Sequence, residues 1–104
     1  MDRKKLIKNL EKFKRRIEKK HKIEEMILFG SRVSGKPHKD SDVDLIVVGN
    51  FKGKNSLKRA PELYFEWDLD LPVDFLCYTP EEFNKLKNRI SIVREAMNAG
   101  IIIK

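Results

Sequence analysis

The 104-residue sequence predicts an α/β fold in which helices back a small sheet, and three observations carry that expectation. An amphipathic helical repeat opens the chain. Three short apolar runs of strand type follow, separated by polar or helical segments. A sharply capped helical region then closes it. Helices repeat every 3.6 residues and strands every two, so the alternation of these periods reads as layers of each kind around a shared core.

From Arg3 to about Lys20, apolar residues fall at Leu6, Ile7, Leu10, Phe13 and Ile17, with lysines and arginines around the rest of the circumference. This is the pattern of a helix that covers one face of a sheet. Ile23 to Phe29 follows as a strand, ended by Gly30-Ser31. Val43 to Val48 is a second strand, rich in β-branched residues and closed by Gly49-Asn50, and residues 51–56 read as loop. Leu57, Ala60, Leu63, Tyr64 and Trp67 predict a helix over Ser56 to Trp67. Pro61 conflicts with a helix interior, so the expected start moves toward Arg59 or Ala60, which would put proline in the first turn.

Leu71 to Tyr78 is a third strand, in which Asp74 interrupts apolar surroundings. Thr79-Pro80-Glu81-Glu82 then announces a helix, with Thr79 as cap, proline at the first position and Glu82 completing a capping box. Phe83 and Leu86 give that helix its apolar side. A further helical stretch carries Ile90, Val93, Ala96 and Met97 and stops at Gly100, and the tail Ile101 to Lys104 is expected to add a short edge strand.

The length fits one domain over residues 1–104. No apolar run approaches the roughly 18 residues of a membrane span, and the charged N-terminus lacks a signal-peptide core, so the cytoplasm is the expected location. A single cysteine, Cys77, excludes an intrachain disulfide and a Cys-rich zinc site, and its apolar run suits a buried thiol. His21 and His38 stand apart in polar, basic surroundings as surface histidines. The net charge of +7 is concentrated at one end: residues 1–22 hold eleven Lys/Arg against three Asp/Glu, and the remainder holds twelve against thirteen. Such a segment attracts nucleic acid or an acidic protein surface, or else is a solvated helix face.

The chemistry-bearing residues lie around residues 29–48. Residues two apart on a strand share a face, so Asp42 and Asp44 project together. Two adjacent carboxylates repel, and a hard cation relieves the repulsion. Mg²⁺ suits them, since it takes one or two protein carboxylates and completes its shell with phosphate oxygens and water. If the second and third strands pair, Asp74 reaches the same point as a third carboxylate, able to bind a second metal or activate a hydroxyl. Asp40, Asp42 and Asp44 also have the one-three-five spacing of an EF-hand. That reading fails, because Leu45 stands where glycine is needed and Phe51 where glutamate is needed. Gly30-Ser31 at a strand end offers close backbone approach, N–H groups and a hydroxyl to a phosphate, and Arg32 adds a positive partner.

Gly30-Ser31, ten intervening residues, Asp42-Val43-Asp44 and a later apolar strand bearing Asp74 resemble the signature of the DNA polymerase β-like nucleotidyltransferase superfamily. The size and the pattern Arg94-Glu95-Ala96…Gly100-Ile101 are similar to the minimal nucleotidyltransferases, small prokaryotic proteins that include antitoxin partners of HEPN-domain toxins. The resemblance runs from the N-terminal helix to Ile103. It implies a small mixed sheet packed against helices, and transfer of a nucleoside monophosphate from a nucleoside triphosphate with release of pyrophosphate. It also implies that Gly30 and Ser31 bind the triphosphate, that Asp42 and Asp44 hold Mg²⁺, and that Asp74 binds metal or orients the attacking hydroxyl. Two Mg²⁺ ions, ATP as donor and a HEPN toxin as partner are the corresponding expectations.

Two other readings of the chain stand beside this one. In the first, the protein neutralises its partner by contact alone. In the second, the basic N-terminal helix binds nucleic acid. Against the latter, no exposed aromatics are interleaved with the basic residues to form a stacking platform.

Overall fold

In the computed structural model, the structure describes residues 2–34, 42–51 and 55–104. Helix α1 is Arg3–Glu18, strand β1 Ile23–Phe29, the short helix α2 Ser31–Ser34 and strand β2 Val43–Gly49. Helix α3 is Ser56–Glu66, β3 Val73–Tyr78, α4 Pro80–Leu86, α5 Ile92–Ala99 and β4 Ile101–Ile102. The four strands form one mixed sheet in the order β3-β2-β1-β4. β1 runs antiparallel to both β2 and β4, whereas β2 and β3 are parallel. Parallel neighbours need a crossover, and α3 supplies it.

The two faces of the sheet hold separate apolar clusters. Leu6, Leu10, Phe13 and Ile17 of α1 and Leu63 of α3 pack on Met26, Leu28, Val43, Leu45, Val47 and Phe75. On the opposite face, Phe83 of α4 and Val93 and Ala96 of α5 cover Ile27, Ile46 and Val48. The central strands β1 and β2 are thus apolar on both sides, which is why they read as continuous runs rather than as alternation. Phe13 is fully buried, with Trp67 edge-on at 5.1 Å and Phe75 stacked at 5.7 Å. Phe51, expected in a loop, lies outside any strand or helix yet is buried in the first cluster.

Three of the boundaries that differ from expectation have a clear local reason. α3 begins at Ser56 and keeps Pro61 in its interior instead of starting late. Proline removes one i→i−4 bond, and the apolar side formed by Ala60 and Leu63, packed into the first cluster, outweighs that loss. β3 begins at Val73 rather than Leu71, because the Leu71 carbonyl accepts from Trp67 Nε1 at 2.8 Å and Pro72 has no N–H to offer. Ile90 is left outside α5 and 96% exposed, since the Ser91 side chain caps that helix by accepting from Arg94 N at 3.2 Å. Gly100 ends α5 as expected. A Cβ there would sit 2.8 Å from both Ile27 Cγ2 and Leu28 O, so glycine lets the turn into β4 lie directly on β1.

The capping box is formed as read from the sequence. Glu82 N donates to Thr79 Oγ1 at 3.2 Å, and Thr79 N donates back to Glu82 Oε1 at 2.9 Å. Glu82 also accepts from Arg59 Nη1 of α3 at 2.6 Å, which ties α4 to α3 and holds the Glu82 carboxyl below its ordinary range. Thr79→Ala is expected to cost about 1 kcal/mol, lowering Tm by roughly 4–8 °C in thermal circular dichroism. An unchanged Tm would show that Arg59 alone holds the start of α4.

His21 and Cys77 differ from their expected settings. His21 is half-buried, with Nε2 3.1 Å from Glu62 Oε2, so it joins the turn after α1 to α3 rather than standing alone on the surface. His38 lies outside the described residues. Cys77 is half-buried, and burial pushes its thiol up to about 11, which removes it as a nucleophile at neutral pH. No helix among the described residues is long and apolar enough to cross a membrane.

Candidate active site

The sheet's alternation decides where the aspartates point. Along β2, Val43, Leu45 and Val47 enter the cluster under α1, while Ile46 and Val48 enter the cluster under α4 and α5. Asp44 is in phase with Ile46 and Val48, and Asp42, the residue before β2 begins, continues that phase and lies close enough for its charge to act on Asp44. On β3, Phe75 packs under α1 and Leu76 and Tyr78 pack on the other side, which puts Asp74 in that same phase. The parallel register pairs Asp44 directly with Asp74. All three carboxylates therefore share one face of the sheet, at the end that β2 and β3 enter first. Asp42 and Asp74 are exposed and Asp44 is half-buried.

Electrostatics records this proximity. The Asp44 carboxyl is held above its ordinary value, first by burial, then by the charge of Asp74 and then by that of Asp42. Two neighbouring carboxylates and partial desolvation disfavour a third negative charge there, and a divalent cation would reverse that preference. Among the described residues, no group of three or more His, Cys, Asp or Glu is placed so as to hold a metal ion. Mg²⁺ does not require such a group, because it characteristically keeps water and substrate phosphates as ligands beside one or two carboxylates. Carboxylate oxygens such as those of Asp42, Asp44 and Asp74 are the donor type that this ion takes.

Gly30 completes the arrangement in a way the sequence did not reveal. β1 ends opposite the aspartates, with Phe29 paired to Asp44. Gly30 then turns the chain at φ +82°, a conformation that side-chain-bearing residues avoid. A Cβ on Gly30 would collide with Asp44 Oδ2, so the missing side chain makes room for the carboxylate itself. The sequence-based expectation places a phosphate in that room. Ser31 follows as the exposed first residue of α2, and the Gly30 carbonyl accepts from Val33 N at 3.0 Å. Arg32 is buried, only 4% exposed, so it is held inside the protein rather than extended toward solvent. Asp40 lies outside the described residues.

A cleft adjoins this turn on the same side of the sheet. Its volume is about 220 Å³, and Phe29, Gly30, Val33, Ile92, Glu95 and Ala96 contribute to its walls. Among the residues that line it, Glu95 is the one with a charged side chain. Glu95 had entered the sequence reading only through the Arg94-Glu95-Ala96 pattern. No spacing rule connects it to Gly30, since α5 reaches the turn only through the fold.

Comparison with known proteins bears on the family and the fold. The nucleotidyltransferase domain model matches residues 10–102, nearly the whole chain. A Sulfolobus solfataricus protein assigned as a nucleotidyltransferase shares the fold, with a TM-score of 0.66 over 94% of this chain and 78% of that one, at 19% identity. No curated protein sequence matches. A mixed sheet carrying three aspartates on one face, beside a strand-ending Gly-Ser turn, thus coincides with a family match over almost the full length, and the chain belongs to the nucleotidyltransferase domain family.

Proposed function

We propose that the protein transfers AMP from ATP to a hydroxyl group on a partner protein, in a Mg²⁺-dependent reaction, and that it is the antitoxin of a HEPN toxin–antitoxin pair. The observation that carries the catalytic part is the direct pairing of Asp44 with Asp74, with Asp42 on the same face, next to the Gly30-Ser31 turn. In this reading Asp42 and Asp44 hold Mg²⁺, with Asp74 contributing to a second ion. Gly30 and Ser31 bind the triphosphate. Arg32, being buried, favours the phosphates through its charge rather than by contact.

The reaction forms one bond and breaks one. The acceptor oxygen attacks the α-phosphorus, the bond from that phosphorus to the oxygen bridging to the β-phosphate breaks, and pyrophosphate leaves. Asp74 takes the hydroxyl proton or orients the hydroxyl as it is lost. Bound Mg²⁺ supplies charge neutralisation on the phosphates. The chain's own contribution is alignment: a rigid sheet fixes the carboxylates, and the cleft beside Gly30 offers walls and one acceptor, Glu95, for the nucleoside end of the donor.

The partner assignment is supported by the similarity of Arg94-Glu95-Ala96…Gly100-Ile101 to the minimal nucleotidyltransferases. The test is incubation with Mg²⁺, ATP labelled at its α-phosphate, and a HEPN-domain protein encoded beside this gene. We expect a tyrosine of the partner to gain one AMP, with label absent when the γ-phosphate is the labelled one. Label on the γ-phosphate only would make the protein a kinase. No transfer, with toxicity still neutralised, would leave neutralisation to contact alone.

A further inference from the structure

We propose that the outer face of α1 binds the phosphate backbone of a double-helical nucleic acid. Lys4, Lys5, Lys8, Lys12, Arg15 and Lys19 are all exposed. At 3.6 residues per turn they fall within an arc of about 100°, opposite the buried Leu6, Leu10, Phe13 and Ile17. From Lys4 to Lys19 the stripe is about 22 Å long. Off the stripe, Lys14 pairs with Glu18, Arg16 with Asp68 and Lys20 with Glu66. The side chains of the stripe form no ion pair among the described residues. The acidic residues of the helix lie at its margin, with Glu18 paired to Lys14 and Glu11 half-buried.

The N-terminal part of this arrangement, and its like-charge pairs, work against the helix's own stability. The N-cap Asp2 accepts from Lys5 N at 2.8 Å, but no acidic residue stands in the first turn itself, where Arg3, Lys4 and Lys5 meet the positive end of the helix dipole. Lys4, Lys8 and Lys12, and Arg15 with Lys19, stack like charges at i,i+4, which is unfavourable in isolation. Segments that break a local rule while the surrounding fold is regular are where a function is expected.

The chemistry of the stripe selects among polyanions. Protein interfaces favour aromatic residues, Met and Arg and are poor in Lys. This stripe is almost all lysine, and none of the exposed large apolar residues lies on α1. A single strand would require stacking platforms, which are absent. A regular line of lysines without apolar contacts matches backbone phosphates, which position a duplex without reading its sequence. Arg3 Nη2 donates to Val33 O at 2.9 Å, so the stripe begins beside the turn that carries Gly30, and a duplex seated along it has one end at the candidate active site.

The test is fluorescence anisotropy with labelled RNA and DNA duplexes of about 20 base pairs between 50 and 200 mM KCl. Engagement of about five phosphates predicts a roughly 500-fold loss of affinity over that range. In Lys4→Gln/Lys8→Gln/Lys12→Gln the loss shrinks to about tenfold, binding at 50 mM weakens, and Tm stays at or above wild type because repulsion is relieved. Lys8→Gln alone lowers the salt slope by about 1. Tighter binding of one duplex identifies it as the physiological source, and equal binding still supports backbone recognition. No binding at 50 mM, an unchanged slope in the triple variant, or tighter binding of poly-glutamate than of either duplex would overturn the proposal. Asp44→Asn leaves duplex binding intact, so this inference and the transfer reaction fail separately.

Discussion

Asp44→Asn is expected to lower Mg²⁺-dependent nucleotide transfer by about 10³-fold or more while making the folded protein more stable at neutral pH. The first effect follows if Asp44 is the inner metal ligand, since removing one charge-stabilising group from a phosphoryl-transfer site costs on the order of 4 kcal/mol in the transition state. The second follows from its carboxyl being held above the ordinary value by burial, Asp74 and Asp42. The native state then binds the Asp44 proton more tightly than the unfolded chain does. Stability from this group is fully present below the unfolded value and declines as pH rises through the raised native value. At neutral pH the ionised carboxylate is a liability in the absence of a cation, and asparagine removes it. Thermal melts should therefore show Asp44→Asn above wild type at pH 7, with the advantage vanishing in acid. Added Mg²⁺ and ATP should raise the wild-type Tm and leave that of the variant unmoved. A variant that transfers nucleotide at the wild-type rate would remove Asp44 from the site.

Gly30→Val is the second large effect, and it joins backbone to chemistry. A residue with a side chain at φ +82° costs roughly 1–2 kcal/mol in strain, and the new Cβ would also collide with Asp44 Oδ2. A combined loss of about 2–3 kcal/mol should lower Tm by roughly 10–20 °C in a chain of this size, and transfer should fall with the displaced carboxylate. The two causes separate by design. Gly30→Asn tolerates the left-handed backbone better but keeps the collision, so it should unfold less readily than Gly30→Val and be equally inactive. If the collision matters, Gly30→Ala should also be milder in an Asp44→Ala background than in the wild type, a coupling that a double-mutant cycle measures. Additivity between the two positions would leave strain alone as the explanation.

Much of the fold was legible because burial imposes a period. The apolar stripe of α1 matched its buried side at Leu6, Leu10, Phe13 and Ile17, and β1 was located at Ile23–Phe29 as read. The Thr79 capping box was visible because its two hydrogen bonds join residues three apart. The errors came where distant residues override local preference. Pro61 stays inside α3 because packing against the α1-side core outweighs one missing hydrogen bond. Ile90 looks like a core residue of a helix, but the Ser91 cap ends the helical path before it. His21 looked solitary because its partner Glu62 lies on α3.

The candidate site divides in the same way. From the sequence alone, Asp42 and Asp44 share a face, because strand geometry fixes the orientation of residues two apart. The sequence also determined the basic segment, the sharp turn at Gly30-Ser31 and the lack of a second cysteine. Only the tertiary structure decided that β2 and β3 run parallel in a register that sets Asp74 beside Asp44, thirty residues away in the chain. It alone showed that Gly30 yields its space to Asp44, that Arg32 is buried, that Glu95 reaches the cleft, and that Lys4, Lys5, Lys8, Lys12, Arg15 and Lys19 form no ion pair among the described residues. The physical reason is range. Helical and strand periods and caps operate within a few residues, so a sequence displays them. Strand register and the approach of one element to another are chosen by the whole core at once, and no short stretch of chain contains that choice.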